Sequence, residues 1–198
     1  MALTKELQRI EREEAILLSL KKLNYLNRSQ LQALHRLGSD RNASRVLQNM
    51  SGYVSSFRDG ENVYYLNKEG RERVNCRKIL KKTLQARHYI MRNYLYIAYG
   101  QPETWRNEMR LEVKGVTSVV CDALFRLDNR YYIVEVDHTQ KMAKNRQKVA
   151  RYRRLIEAGA FDTPPGFVWM TTTEYRRKQL EKLNEGLGCR VFTVQDFQ

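Results

Sequence analysis

Residues 118–137, SVVCDALFRLDNRYYIVEVD, predict two β-strands joined by a tight turn. In the first half of this stretch, successive side chains alternate between an apolar set and a more mixed set, which is the period-two pattern of a strand. Asp128-Asn129 supplies the turn, and the β-branched and aromatic run from Tyr131 to Val136 is typical of an interior strand. Carboxylates interrupt this apolar background at Asp122, Glu135 and Asp137. Because isolated carboxylates are costly to bury, each must meet a cation, a metal or the water at a strand end.

The three acids are placed to meet on one side of the predicted sheet. Glu135 and Asp137 are two residues apart and therefore point to the same side of their strand. Asp122 can approach them across the hairpin. The residues alone leave two interpretations open: the acids hold a metal ion, or they form salt bridges with nearby Arg and Lys.

The composition indicates packed domains and an anionic partner. The chain has 198 residues, 42% hydrophobic and 29% charged, which suits one large domain or two small ones. Its net charge of +14 points to a polyanion, most simply nucleic acid. No apolar stretch is long enough for a transmembrane helix and no lipidation motif is present, so we expect no membrane partner.

The cysteines and the first residues predict a reduced, cytoplasmic protein. The beginning of the chain, MALTKELQRIEREE, is rich in acids and lacks the apolar centre of a signal peptide. Cys76, Cys121 and Cys189 are odd in number and far apart, without the spacing of a zinc site.

The N-terminal part predicts three helices followed by a hairpin. Apolar residues recur at helical spacing in residues 4–23, 30–36 and 41–50, with Asp40 as the cap of the third helix. Strand patterns flank Asp59-Gly60, a strong hairpin signal. This order is that of a winged helix-turn-helix, whose third helix reads DNA. The alternative is a small helical cap with a solvated polar face.

The third helix would expose side chains that can read base edges or hold phosphates, with one more cation beside the hairpin tip. The predicted DNA-contacting residues of this part are Arg41, Asn42, Ser44, Arg45, Gln48 and Arg58.

The C-terminal part predicts a mixed sheet covered by helices. The pattern stays helical over residues 71–99, and we place the domain boundary after residue 75. Strands 109–113, 118–126, 131–137, 167–172 and 189–194 then alternate with helices 139–158 and 174–186. The first of these two helices has no acid among its many cations before Glu157. This charge run is either a solvated face or a set of phosphate contacts, for which we select Lys141, Lys144 and Arg151.

Several short motifs resemble known families. An Asp on the second strand and a Glu on the third resemble the core of the PD-(D/E)XK nuclease superfamily. The whole chain resembles the replication-relaxation family of Gram-positive plasmids and mobile elements. The motifs that carry this resemblance are RNASRVL (41–47), VYYL (63–66) with Gly70, CDAL (121–124), EVD (135–137), Lys148 and Tyr152. The resemblance implies an α+β fold, with a winged helix-turn-helix in residues 1–75 and a nuclease-like α/β domain in residues 76–198.

One departure bears on activity. Active members of the nuclease superfamily carry acid-x-Lys on the third strand, whereas this chain has Asp137 in place of the Lys, and Cys121 in place of the Pro before the first acid. If the domain is active, the resemblance implies that Asp122, Glu135 and Lys148 are catalytic. In an active domain, Lys148 or Lys144 on the next helix would stand in for the missing Lys of the third strand, and Glu108 or Glu112 would add a further ligand. Asp122, Glu135 and Asp137 would then hold Mg²⁺ or Mn²⁺.

Two main hypotheses follow. The favoured one is a sequence-specific double-stranded DNA-binding protein of a plasmid or mobile element, acting in replication, DNA relaxation or transcription regulation without a cofactor. Its nuclease-like domain would be degenerate. The alternative is a metal-dependent DNA nickase or endonuclease. A protein-binding adaptor, a homodimer and contacts with other replication or transfer proteins are left open.

Overall fold

The computed structural model describes residues 2–197, with side chains for residues 4–197, and the chain divides into two compact units. These are Met1–Asn93 and Tyr94–Gln198. The predicted boundary after residue 75 lies earlier than this division, because the following residues pack within the first unit. Asn93 Nδ2, for example, donates to the carbonyls of Leu23 and Tyr25 at 3.1 and 2.7 Å. No helix in residues 2–197 is long and apolar enough to cross a bilayer.

The first unit combines helices with a three-stranded antiparallel sheet of order β1-β3-β2. Its elements are α1 (Ala2–Leu23), β1 (Leu26–Asn27), α2 (Arg28–His35), α3 (Asp40–Asn49), β2 (Val54–Asp59), β3 (Glu61–Leu66), α4 (Lys68–Arg73) and the start of α5 (Ala86–Ala98). Asn27 caps α2 in a capping box with Gln30. Ser39, rather than the predicted Asp40, caps α3 through the backbone N–H of Asn42.

The predicted continuous helix over residues 71–99 is wrong. Helix α4 ends at Arg73 and α5 begins at Ala86, and residues 76–85 form neither helix nor strand. In this stretch Ile79 and Leu84 are 77% and 88% exposed. A helix of repelling cations without a buried apolar face has too little packing to be stable. We call residues 76–85 the basic segment.

The second unit contains the predicted mixed sheet, which the structure confirms. Its elements after α5 are β4 (Arg106–Val113), β5 (Thr117–Leu127), β6 (Arg130–Asp137), α6 (Met142–Glu157), β7 (Gly166–Thr171), α7 (Glu174–Leu183) and β8 (Cys189–Thr193). The strand order is β4-β5-β6-β7-β8, antiparallel from β4 to β6 and parallel from β6 to β8. Together these two units make the chain a mixed α+β protein.

A core on one face of the five-stranded sheet joins it to α6 and α7. Tyr152 and Leu155 of α6 and Leu180 of α7 are fully buried against strand residues such as Phe167 and Trp169. These contacts fix the turns of α6 that lie over the end of β6, where two of the predicted acids are found.

Strand β5 is irregular where it carries its acid. The β4–β5 ladder has no Glu108–Asp122 pair, and Glu108 has a left-handed φ of 54°. Pairing of β5 with β6 begins only at Ala123 opposite Val134. In place of the next ladder bond, the backbone N–H of Val136 donates to Asp122 Oδ2 at 2.7 Å. The irregularity therefore brings the Asp122 side chain over to β6.

Candidate functional site

Four side chains from three elements form a centre that we call the carboxylate centre: Asp122 of β5, Glu135 of β6, and Lys148 and Tyr152 of α6. Glu135 is fully buried. Lys148 Nζ donates to its Oε2 at 2.5 Å, and the Tyr152 hydroxyl donates to its Oε1. Lys148 and Tyr152 are four residues apart, so they lie one turn apart on the same face of α6. Lys148, which the nuclease resemblance selects, therefore contacts Glu135.

Burial and charge control protonation in the carboxylate centre. Loss of solvation, followed by the nearby Asp122 charge, raises the pKa of Glu135 well above its ordinary value, against the lowering effect of Lys148 and Tyr152. Burial pulls the pKa of Lys148 down, but the Glu135 and Asp122 carboxylates more than offset this, and its pKa is raised. Burial, then Glu135, raises the pKa of Tyr152 as well. The Tyr152 hydroxyl therefore stays a hydrogen-bond donor, and Lys148 stays a cation.

The third predicted metal ligand, Asp137, belongs to a different cluster. Arg176 of α7 donates to its two carboxylate oxygens from Nε at 2.5 Å and from Nη2 at 2.6 Å. Asn145 Nδ2 and Thr171 Oγ1 donate to it at 2.8 and 2.9 Å. The fully buried Asp137 is thus neutralised by α7 rather than left for an ion shared with Glu135.

The donor set does not fit the divalent ion that the nuclease resemblance implies. Both oxygens of Glu135 accept from side chains, and Asp137 is paired with Arg176. Of the two possible additional ligands, Glu112 is exposed and pairs with Arg110 at 3.2 Å, and Glu108 is exposed. Among residues 4–197, no three His, Cys, Asp or Glu side chains are grouped as a metal site requires. Lys148 and Arg176 supply the positive charge that balances Glu135 and Asp137.

Helix α3 presents a polar face to solvent. Ala43, Val46 and Leu47 are buried, and Met50, the residue after the helix, is buried beside them. The opposite side exposes Arg41, Ser44, Arg45 and Gln48.

Asn42 differs from the other residues predicted to read DNA. It is half-buried, its Nδ2 donates to the Leu37 carbonyl at 2.7 Å, and its Oδ1 accepts from Arg45 Nη2 at 2.8 Å. Both ends of the amide are used inside the protein, so Asn42 orients the Arg45 guanidinium.

The acids nearest this face are neutralised. Asp40, in the first turn of α3, pairs with Arg28 at 2.9 Å. Arg28 also approaches Glu61 at 3.7 Å, and Glu61 accepts from the backbone and hydroxyl of Ser29 at 2.9 and 2.5 Å. Arg28 thus offsets part of the negative charge of both carboxylates.

The remaining predicted contacts are exposed. Arg58 lies on β2 opposite Asn62, next to the hairpin turn, and its side chain is in solvent. Lys141, Lys144 and Arg151 are exposed on α6 and at its beginning, while Lys148 on the same face turns inward to Glu135.

Sequence reasoning missed Arg176 and Asn145. No spacing connects Arg176 with an acid that lies 39 residues earlier, and only the packing of α7 brings the two together. Asn145 lies inside a basic run that also contains the exposed amide Gln147, so residue type alone does not mark Asn145 as buried.

The comparison with family sequence models supports the resemblance. The model described as replication-relaxation matches residues 17–169, most of the chain. The chain belongs to the replication-relaxation family. Membership points to a role in replication or DNA relaxation. The matched span contains α3, α6 and the whole carboxylate centre, but it ends before Arg176.

The other comparisons are weak. No curated protein matches the chain. Among solved structures, protein VC1899 from Vibrio cholerae is similar over 91% of this chain and 52% of its own, with 11% sequence identity and a TM-score of 0.39. This replication-relaxation chain therefore spans about half the length of that structure.

Proposed function

We propose that this replication-relaxation protein is a sequence-specific double-stranded DNA-binding protein of a plasmid or mobile element. The first unit would act as a winged helix-turn-helix, with α3 in the major groove and the β2–β3 hairpin as the wing. The second would be a PD-(D/E)XK-like domain that has lost catalysis. Binding requires no cofactor, and occupancy of the site regulates replication, relaxation or transcription.

The outward face of α3 carries this proposal. An exposed helix with Arg41, Ser44, Arg45 and Gln48 on one side has donors and acceptors that match base edges and phosphates. Its buried side packs in the first unit, which leaves the polar side for a partner. Asn42 holds the Arg45 guanidinium in one orientation, which lowers the entropy that a base contact would lose. The net charge of +14 adds the general attraction to a polyanion.

Footprinting of the DNA around its own reading frame, followed by affinity measurements on the protected site, tests the proposal. Arg45→Ala should weaken binding to that site by about 1–3 kcal/mol, while binding to a scrambled duplex changes much less. Arg12→Ala, an exposed cation on α1, is the matched control and should leave both affinities unchanged. An equal loss of affinity on both duplexes would show that Arg45 contacts a phosphate and does not read a base.

The second candidate function is a divalent-metal-dependent nickase, favoured only by the proximity of Asp122 to the Glu135–Lys148 pair. We expect supercoiled plasmid incubated with the protein and Mg²⁺ or Mn²⁺ to remain intact, because Lys148 and Tyr152 already occupy both oxygens of Glu135. Cutting that persists through purification but disappears in Asp122→Ala would establish the nickase and overturn the proposal of a degenerate domain.

A further inference from the structure

The basic segment, residues 76–85, carries four cations and no acid in the sequence CRKILKKTLQ. All four, Arg77, Lys78, Lys81 and Lys82, are exposed. From the first to the last of them an extended chain reaches about 17 Å, at about 3.3 Å per residue. Because a DNA duplex carries one charge for about every 1.7 Å of its axis, a stretch of this length faces several phosphates.

The conformation of the basic segment is fixed by contacts within the first unit. Lys21 Nζ donates to the Val74 carbonyl just before it, and the Tyr25 hydroxyl donates to the Lys81 carbonyl, each at 2.7 Å. Lys78 Nζ lies 5.4 Å from the centre of the Tyr89 ring. These contacts hold the backbone before the segment and at Lys81, and they leave the cationic groups at the surface.

A cleft lies at the start of the basic segment, and the β2–β3 hairpin lies near the end of the segment. The cleft measures about 580 Å³ and is lined by Lys68, Arg71, Glu72, Asn75, Cys76 and Arg77, with three cations against one acid. Toward the other end, Lys82 Nζ lies 6.0 Å from the ring of Phe57, the neighbour of Arg58 on β2. The cations therefore run from the cleft to the face of the β2–β3 hairpin that carries Phe57; Arg58, the next residue of β2, points to the opposite face.

We infer that the basic segment and its cleft form a second DNA contact, which binds backbone phosphates of the duplex that α3 reads. This rests on the proposed function and adds a sequence-independent surface to it. The absence of acid from the segment, its four exposed cations and the three cations in the cleft favour a phosphate backbone. Ile79 and Leu84 are also exposed, which makes an anionic membrane the competing ligand.

The salt dependence of binding tests the inference. A triple variant, Arg77→Gln with Lys81→Gln and Lys82→Gln, is compared with wild type on a short duplex carrying the protected site and on a random-sequence duplex. The plot of log K against log salt has a negative slope. Its magnitude should decrease by up to about 2.7 in the triple variant, at about 0.9 for each phosphate that the variant no longer neutralises. Because phosphate contacts carry no base information, the ratio between the two affinities should stay the same.

Two further variants serve as controls. Arg12→Gln with Lys178→Gln and Lys182→Gln removes the same charge from exposed positions elsewhere and should leave the slope near the wild-type value. Arg77→Lys with Lys81→Arg and Lys82→Arg keeps the charge and should keep the slope. Far-ultraviolet circular dichroism checks that all three variants are folded.

The outcomes separate the inference from the proposed function. If wild type retains no duplex at low salt, both are overturned. If wild type binds DNA, and the triple variant of the basic segment shows the same salt slope as the triple Gln control at positions 12, 178 and 182, only the inference is overturned. If the Gln triple variant loses binding to phosphatidylserine vesicles while its DNA affinity stays unchanged, the segment is a membrane contact and the inference is again wrong.

Discussion

Removal of Lys148 should destabilise the second unit, because Glu135 would stay buried without its cation. Glu135 is 0% exposed and the Lys148 side chain is 24% exposed. Breaking a buried ion pair by deleting one partner costs about 3–5 kcal/mol. The partial exposure of Lys148 and the remaining hydrogen bond from Tyr152 moderate this, so we expect Lys148→Met to lower the free energy of unfolding by about 2–4 kcal/mol near neutral pH.

The loss should depend on pH in a defined direction. Burial and Asp122 already raise the pKa of Glu135, and removal of Lys148 raises it further. Above the unfolded value of 4.5 the folded variant holds a proton that the unfolded chain releases. Its free energy of unfolding should therefore fall as the pH rises from 4.5 toward the raised folded pKa, and level off above it. In wild type, the Lys148 cation reduces this dependence.

Tryptophan fluorescence in a urea titration measures the effect selectively, since both tryptophans, Trp105 and Trp169, lie in the second unit. Lys144→Met, an exposed cation one turn away on α6, is the matched control and should change stability by less than about 0.5 kcal/mol. Glu135→Gln combined with Lys148→Met removes the buried charge and should recover much of the loss. A Lys148→Met protein as stable as the Lys144→Met control at neutral pH would refute the reasoning.

Three other predictions each concern a single residue. Arg176→Met leaves the buried Asp137 without its cation and should cost about 3 kcal/mol by the same urea titration. Gly70→Ala places a methyl group 2.0 Å from the Tyr53 carbonyl oxygen, so the thermal transition of the first unit should shift down by several degrees, by circular dichroism. Burial raises the pKa of the Cys121 thiol to about 12, so iodoacetamide at mildly alkaline pH should label it only after unfolding, as mass spectrometry would detect.

The elements with strong periodicity were predictable. The hairpin of residues 118–137 and the mixed sheet follow from alternation and from the turn at Asp128-Asn129, where both residues have a positive φ. Helix α3 follows from apolar residues at spacings of three and four, and its buried side chains are those the spacing selects. In both cases the local pattern and the tertiary packing favour the same structure.

The errors arose where tertiary contacts override the local pattern. The basic segment has helix-forming residues, but Lys21 and Tyr25 bind carbonyls just before it and within it, and its apolar residues find no core. The pairing of Asp137 with Arg176 was not predicted, because Arg176 comes from an element whose position no local pattern reveals. Correct placement of Glu135 and Asp137 on one face was therefore not enough to predict their partners.

The inward turn of Lys148 also changes how α6 meets other charges. With Lys148 turned inward, the neighbouring outward cations on its face are Lys144 and Arg151, which are seven residues apart, about 10 Å along the axis. This exceeds the Debye length of about 8 Å at physiological ionic strength. The two cations therefore behave as independent sites rather than as one continuous strip, and neutralising one leaves the local potential at the other almost unchanged.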